Sequence, residues 1–485
     1  MEKGSCPPLL KRLLAHAREG YLGFHTPGHK QGRGAWPPWL SLLGEAVFAL
    51  DLTELPGLDS LHDPQGVIRE AAAAAAACFG ADETYFLVNG ASAGIAAVIL
   101  ATCGPGDRVI LPRNCHQSAI HGLILSGAEP VYLPVYGDPA SGLPGMVMTD
   151  DLRRAWDEAS GEVRLAVFLH PSYYGLVGEL EEQVRLAHER GCPVLVDEAH
   201  GPHFFTSDLY PPSALSCGAD FVVHGAHKVL GAFTQAAFLH RRGNDGIVSR
   251  LRAALRLVQT TSPSYLLMAS LDVSRQQSLE ERQRWEELAA EALRLREQIS
   301  RLPGVSAVGS EALRVPGVVG FDPARLVVSV RGLGITGFEA AEWLRSRRRI
   351  LVEMADLHNL VFILGPSDLP LLEELLSGLA DLASAFGAEG KSPPSSFSGP
   401  FGLPIPPQAM APRQAFFSQW EAVRIEDAVG RVAAEAVAPY PPGVAVVCPG
   451  EVVTAEAVAF LKEWERAGGF WLGQTQGMLR VVKRS

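Results

Sequence analysis

The sequence predicts an α/β chain built on an open, doubly wound, mostly parallel sheet, with smaller C-terminal α+β units. Three observations predict it. Between about residues 84 and 240, short runs of β-formers alternate with amphipathic helical stretches. The β runs are continuously apolar rather than alternating, as in strands covered by helices on both faces. A strand–helix–strand succession implies right-handed crossovers, which lay helices on either side of one sheet.

Each element follows from its residues. Ala71–Ala77 reads as helix, because alanine is the best helix former. Thr84–Asn89 reads as a strand, Ser92–Cys103 as a helix, Arg108–Pro112 as a strand, His116–Ser126 as a helix and Pro130–Val135 as a strand. Further strands are expected at Leu165–His170, Val194–Asp197, Asp220–His224 and Gln235–His240. Ser264–Arg301, rich in Leu, Glu and Arg, reads as one long helical link that closes a large domain of residues 1–300. A small α+β domain, 301–388, carries strands at Leu326–Arg331, Leu351–Met354 and Val361–Leu364. Residues 389–412, rich in Pro and Ser, form a linker. A C-terminal α/β unit, 413–485, has helices at Ile425–Val437 and Thr454–Arg466 and strands at Ala445–Cys448 and Leu479–Val482.

Composition narrows the class. The 485 residues suit about three domains at about 150 residues each. With 47 % apolar and 20 % charged residues, the chain is packed rather than disordered. A net charge of −11 argues against a nucleic-acid partner, which needs a basic surface. The basic stretch Arg345–Arg349 ends a helical pattern and complements a helix dipole. No apolar run approaches the roughly 18 residues that span a bilayer, and the N-terminus lacks a signal peptide's apolar core. Seven scattered cysteines without a CxxC pair indicate reduced thiols, hence a cytoplasmic protein with neither disulfides nor a metal site.

Four features fall at the carboxyl ends of predicted strands, where such sheets bind ligands. Asn89-Gly90-Ala91-Ser92-Ala93-Gly94 opens a helix with small residues, which suits a phosphate cup; alone, such a turn is more often only a turn. His116 follows the next strand as a helix cap or as an imidazole that stacks on a flat ring. Asp197 ends an apolar strand in Asp197-Glu198-Ala199-His200-Gly201, as a helix N-cap or as a ligand. Lys228 follows in His224-Gly225-Ala226-His227-Lys228; alone it reads as a solvated surface lysine or, if desolvated, as a nucleophile able to form a Schiff base. In this order the four match what pyridoxal 5'-phosphate requires: a phosphate cup, a ring stacker, a partner for the pyridine nitrogen and a lysine for the aldehyde.

The chain resembles the short, bacterial-type members of the Orn/Lys/Arg decarboxylase family. The resemblance rests on Phe24-His25-Thr26-Pro27-Gly28-His29-Lys30, on Asp51-Leu52-Thr53-Glu54-Leu55-Pro56-Gly57-Leu58-Asp59 and on the Asp197 and His227-Lys228 motifs. It extends to Thr261-Ser262-Pro263-Ser264-Tyr265, Val352-Glu353-Met354-Ala355-Asp356 and Tyr440-Pro441-Pro442-Gly443. It implies fold type I, pyridoxal 5'-phosphate as cofactor and decarboxylation of arginine, lysine or ornithine to an amine of polyamine metabolism, in a homodimer or larger homo-oligomer. It implies that Lys228 carries the cofactor with His227 beside it, and that Asp197 holds the pyridine nitrogen. It further implies that His116 stacks on the ring, and that Gly90, Ala91, Ser92 and Ser262 hold the phosphate. His200 is expected among the catalytic residues, and Glu451 or Asp59 at the substrate's distal cation. Gly225 stands where relatives place a phosphate-holding serine, and Ala91 and Ala93 thin the hydroxyls of the cup. Gly225→Ser is therefore expected to tighten cofactor binding. Two alternatives stay open: another fold type I reaction, by an aminotransferase or aldolase, and a weakened homologue with a binding role.

Overall fold

The structure, a computed structural model, describes residues 6–139, 141–387, 401–441, 443–475 and 477–484. Seven strands form the central sheet: β1 (Glu83–Leu87), β2 (Arg108–Pro112), β3 (Glu129–Leu133), β4 (Val163–Leu169), β5 (Val194–Asp197), β6 (Phe221–His224) and β7 (Ala237–Arg241). Their order is β1-β7-β6-β5-β4-β2-β3. Neighbours from β6 to β3 pair in parallel, and β7 runs antiparallel to both β6 and β1. Every residue of β5, β6 and β7 is buried, because helices cover both faces. The connection from β2 goes one way to β3, and the chain then returns to the other side of β2 as β4. That reversal opens a crevice at the carboxyl ends of β2, β4 and β5.

Of the flanking helices, α1 (Pro8–Arg18), α2 (Val67–Phe79), α3 (Gly90–Thr102) and α4 (Gln117–Ser126) belong to the first half of the chain. Residues 93–99 and 101 of α3 are all buried, so this helix is apolar around its circumference. It packs with Val109 and Leu111 of the sheet and with Ile120 and Leu123 of α4. The expected long link at Ser264–Arg301 is two helices, α5 (Tyr265–Glu280) and α6 (Arg282–Ile299), parted at Glu281. No Gly or Pro marks that break in the sequence.

Beyond α6, an antiparallel sheet joins Met354–Ala355, Asn359–Ile363, Arg325–Ser329 and Ser306–Ala307. Leu351, expected in a strand, is 76 % exposed, and the strand begins only at Met354. The C-terminal unit departs further from expectation. Ile425–Val437 is not a helix: a single 3₁₀ turn, Ile425–Ala428, ends before Gly430, whose φ is +76°. Past that left-handed glycine, Val432 and Ala433 bridge to Val452 and Val481 instead. Ala445–Cys448 is not a strand either; Val447 makes one bridge, to Val437. The sheet here pairs Trp420–Arg424, unforeseen, with Met478–Val482. Of the expected linker, residues 389–400 lie outside the described residues. Among the described residues, no helix is long and apolar enough to cross a membrane.

Candidate active site

A cleft of about 250 Å³ occupies the crevice. Its floor is Cys115 and His116 after β2, Tyr173 and Tyr174 after β4, Asp197 and His200 at the end of β5, and Lys228 after β6. Glu353 and Met354 wall it from the small sheet, and Phe401 and Tyr440 from the C-terminal segments. Four residues expected to work together, His116, Asp197, His200 and Lys228, thus face one cavity.

Each is held by local geometry. His116 caps α4: its Nδ1 accepts from the Ser118 N–H at 3.2 Å and lies 2.8 Å from Ser118 Oγ. Desolvation at the cleft lowers its pKa, and Asp197 opposes the shift. Asp197 ends β5 and accepts the Ala199 N–H at 3.1 Å through Oδ1. Its neighbour Glu198 points away from the cleft, as strand alternation requires. Glu198 is fully buried, 2.7 Å from His224 Nε2, and accepts the Ala214 N–H. That network anchors the turn between β5 and His200.

Lys228 sits in a short helical turn, Ala226–Val229. Its Nζ lies 3.0 Å from His200 Nε2, and His200 Nδ1 lies 2.9 Å from Arg325 Nη2. Burial lowers the pKa of Lys228, Asp197 opposes that, and Arg325 adds to it. His200 is held well below the ordinary histidine value by burial first, with Lys228 and Arg325 lowering it further. Arg325 signals nothing in the sequence, lying 125 residues from His200 on a different sheet. Glu353, also unforeseen in this place, is exposed to the cleft and accepts from the Tyr173 hydroxyl at 2.5 Å.

Other expected site residues lie elsewhere. Glu451 is 0 % exposed, and both its oxygens accept from Arg113, at 2.6 and 2.8 Å. It also accepts the Cys448 N–H, so no acceptor faces a substrate and the expected substrate role is withdrawn. Asp59 is corrected likewise: its carboxylate accepts N–H groups of Ser60, Gln65, Gly66 and Ile68, which shapes the loop before α2. Ser262 is exposed and outside the cleft lining of this chain. His227 also lies off the lining and donates from Nδ1 to the Ala236 carbonyl at 3.0 Å. Gly225 has φ −81°, so backbone strain does not bar a serine there. Space does: a Cβ would stand 2.9 Å from the Ala199 carbonyl oxygen and 3.1 Å from Lys228 Cδ. The expected gain from Gly225→Ser is therefore reversed.

These residues fit pyridoxal 5'-phosphate. The cleft offers a desolvated amine, a carboxylate and an imidazole to one flat ring. Gly90, with φ +76°, and Ala91 and Ser92 open the 13-residue α3, whose first N–H groups have no side-chain cap. Such a terminus is free for an anion, but Gly90, Ala91 and Ser92 lie off the lining of the cleft. A Cβ on Gly90 would lie 3.9 Å from the Gln235 carbonyl oxygen, on the segment that follows Lys228.

The fold is fold type I, shared with solved lysine decarboxylases. The lysine decarboxylase LdcF of Francisella novicida superposes with a TM-score of 0.86 at 20 % identity, covering 98 % of this chain and 81 % of that one. The major domain of the Orn/Lys/Arg decarboxylases matches residues 7–369, and their C-terminal domain matches residues 401–471. The arginine decarboxylase of Halalkalibacterium halodurans is 38 % identical over 497 residues, which cover 100 % of this chain and 99 % of the relative. The arginine decarboxylase of Bacillus subtilis is 38 % identical and covers 98 % of each chain. The lysine decarboxylase LdcA of Pseudomonas aeruginosa is 26 % identical, covering 96 % of this chain and 76 % of its own. The chain belongs to the Orn/Lys/Arg decarboxylase family and is a pyridoxal 5'-phosphate-dependent decarboxylase of a basic amino acid.

Proposed function

We propose that the amino acid is arginine and that Glu353 receives its guanidinium. The observation that carries this is the exposed Glu353 carboxylate on the wall of the cleft that Lys228 also lines, oriented by the Tyr173 hydroxyl. A planar guanidinium pairs bidentately with a carboxylate and stacks on aromatic rings. Tyr173, Tyr174, Phe401 and Tyr440 supply such rings in the lining. The two arginine decarboxylases at 38 % identity support the same choice.

In this reading Lys228 would hold the cofactor through its Nζ and would yield that place to the substrate amine. Asp197 would keep a proton at the ring nitrogen. His116 would lie beside the ring, and the N–H groups of Gly90, Ala91 and Ser92 would hold the phosphate. Bound, the cofactor supplies the sink for the electron pair left when carbon dioxide departs. Lys228, or His200 3.0 Å from its Nζ, would supply the proton that replaces carbon dioxide on the substrate. An aminotransferase would grip the substrate carboxylate with an arginine; among the described residues, none lines the cleft. A merely binding homologue would have no need of four reactive side chains on one cavity.

We further propose a homodimer in the cytoplasm. Leu22, Phe24, Trp36 and Leu42 are 77 %, 92 %, 71 % and 74 % exposed in the N-terminal segment, an apolar surface suited to a second copy. The deciding experiment supplies pyridoxal 5'-phosphate and compares carbon dioxide release from arginine, lysine and ornithine. Arginine should give the highest kcat/KM; a preference for lysine or ornithine would overturn the assignment. Light scattering should give twice the chain mass, and a monomer at working concentration would refute the dimer.

A further inference from the structure

The polar chain through the cleft has only one consistent direction. Arg325 is a donor at every nitrogen and can accept nothing. Its Nη2 therefore donates to His200 Nδ1 across 2.9 Å. A histidine that accepts at Nδ1 carries its ring proton on Nε2. Across 3.0 Å, that Nε2–H meets Lys228 Nζ. An ammonium nitrogen has no lone pair to receive it, so the amine must be neutral.

Arg325 is an unusual donor. It is 2 % exposed, and its Nε has no partner. It comes from the small sheet, whereas His200 and Lys228 follow strands of the central sheet. Its path is kept open by Gly175, φ +79°, where a Cβ would lie 2.4 Å from Arg325 Cβ. The guanidinium carbon lies 5.9 Å from the centre of the Tyr173 ring, and that ring lies 4.8 Å from the His200 ring. A buried cation without a bonded carboxylate costs stability. Its retention on His200 calls for a role.

We propose that Arg325 is a positioning residue for Lys228: through His200 it fixes the ring proton on Nε2 and presents Lys228 Nζ as an uncharged amine. This rests on the reading of Lys228 as the cofactor lysine. The device links the two sheets, so that the small one must be seated for the lysine to be reactive. Other charges face the same groups. Asp197 and Glu353 favour the charged lysine, His116 and His227 stand near His200, and Asp322, Tyr173 and Glu353 face Arg325. Neutrality at Lys228 is thus a balance in which Arg325 and burial oppose two carboxylates.

The readout is the rate at which the cofactor-free protein turns yellow with added pyridoxal 5'-phosphate, across pH. In that step the neutral amine adds to the aldehyde, one C=N bond forms, and the carbonyl oxygen leaves as water with the two amine hydrogens. Arg325→Met should slow the step about tenfold or more at pH 7, since each unit of rise in an amine's pKa removes tenfold of the reactive form. The loss should disappear above the ordinary lysine value, about 10.4, where every amine is neutral. Arg325→Lys, which keeps a donating cation, should recover most of the neutral-pH rate. A folded Arg325→Met with the wild-type profile, or one slowed equally at all pH, overturns the proposal. Should that variant fail to fold, the wild-type profile decides: a rate that follows an ordinary lysine also overturns it. Absence of colour at every pH in wild type would instead strike at the functional reading.

Discussion

Two arginines, Arg325 buried and Arg113 half-buried, make opposite use of the same guanidinium. Arg113, just after β2, meets Glu451 with two nitrogens, and the carboxylate is saturated. Burial works against the Arg113 cation, but Cys448 and Glu451 outweigh it, and its pKa is raised. Arg325 reaches a neutral imidazole instead; burial lowers its pKa, and Asp322, Tyr173 and Glu353 only partly oppose that. The first arrangement is closed and clamps the C-terminal segment to the central sheet, 338 residues away in sequence. The second is open, because its last member is an amine on the cleft. Saturation of the donors separates a staple from a device that acts on chemistry.

The comparison breaks if variants of the cleft and of the clamp behave alike. In the cleft, Asp197→Asn keeps the size but removes the anion that holds the ring proton. Turnover should drop by at least about a thousandfold with an unchanged unfolding midpoint. Near-normal kcat would remove Asp197 from its role. In the clamp, Glu451→Ala strands a buried cation and should cost about 3–5 kcal/mol of stability, read by urea unfolding. The fraction that stays folded should keep its KM for arginine. A raised KM with intact stability would return Glu451 to the substrate.

Smaller effects sharpen the contrast. Glu353→Gln removes a charge-assisted contact worth about 1.5–3 kcal/mol, so KM for arginine should rise about 10- to 150-fold while kcat changes little. An unchanged KM in steady-state kinetics would exclude Glu353 as the partner of the distal cation. Gly225→Ser forces a Cβ against the Ala199 carbonyl oxygen, 2.9 Å away. Overpacking of that kind costs about 1–3 kcal/mol, and cofactor titration should show weaker binding. Tighter binding would mean that the turn yields and that the missing serine is felt.

What the sequence by itself determined is local or periodic. Continuous apolar runs gave the buried parallel strands. A residue at the end of such a strand must emerge at the carboxyl edge of the sheet, so His116, Asp197 and Lys228 were legible without coordinates. The small residues from Gly90 to Ser92 were legible only as the start of α3, since they lie off the lining of the cleft. The C-terminal unit was less so, because short Val- and Ala-rich runs there read equally as helix or strand until a partner is chosen. Gly430 and the bridges to Val452 and Val481 decided against the helix. Likewise a glutamate in a Cys-Pro-Gly-Glu turn says nothing about whether it faces substrate or an arginine. Only the tertiary structure brought Arg113 to Glu451, Tyr173 to Glu353 across 180 residues, and Arg325 to His200. Strand periodicity fixes which way a side chain points from its own backbone. The partner it meets depends on how separate sheets are packed, and no local pattern encodes that.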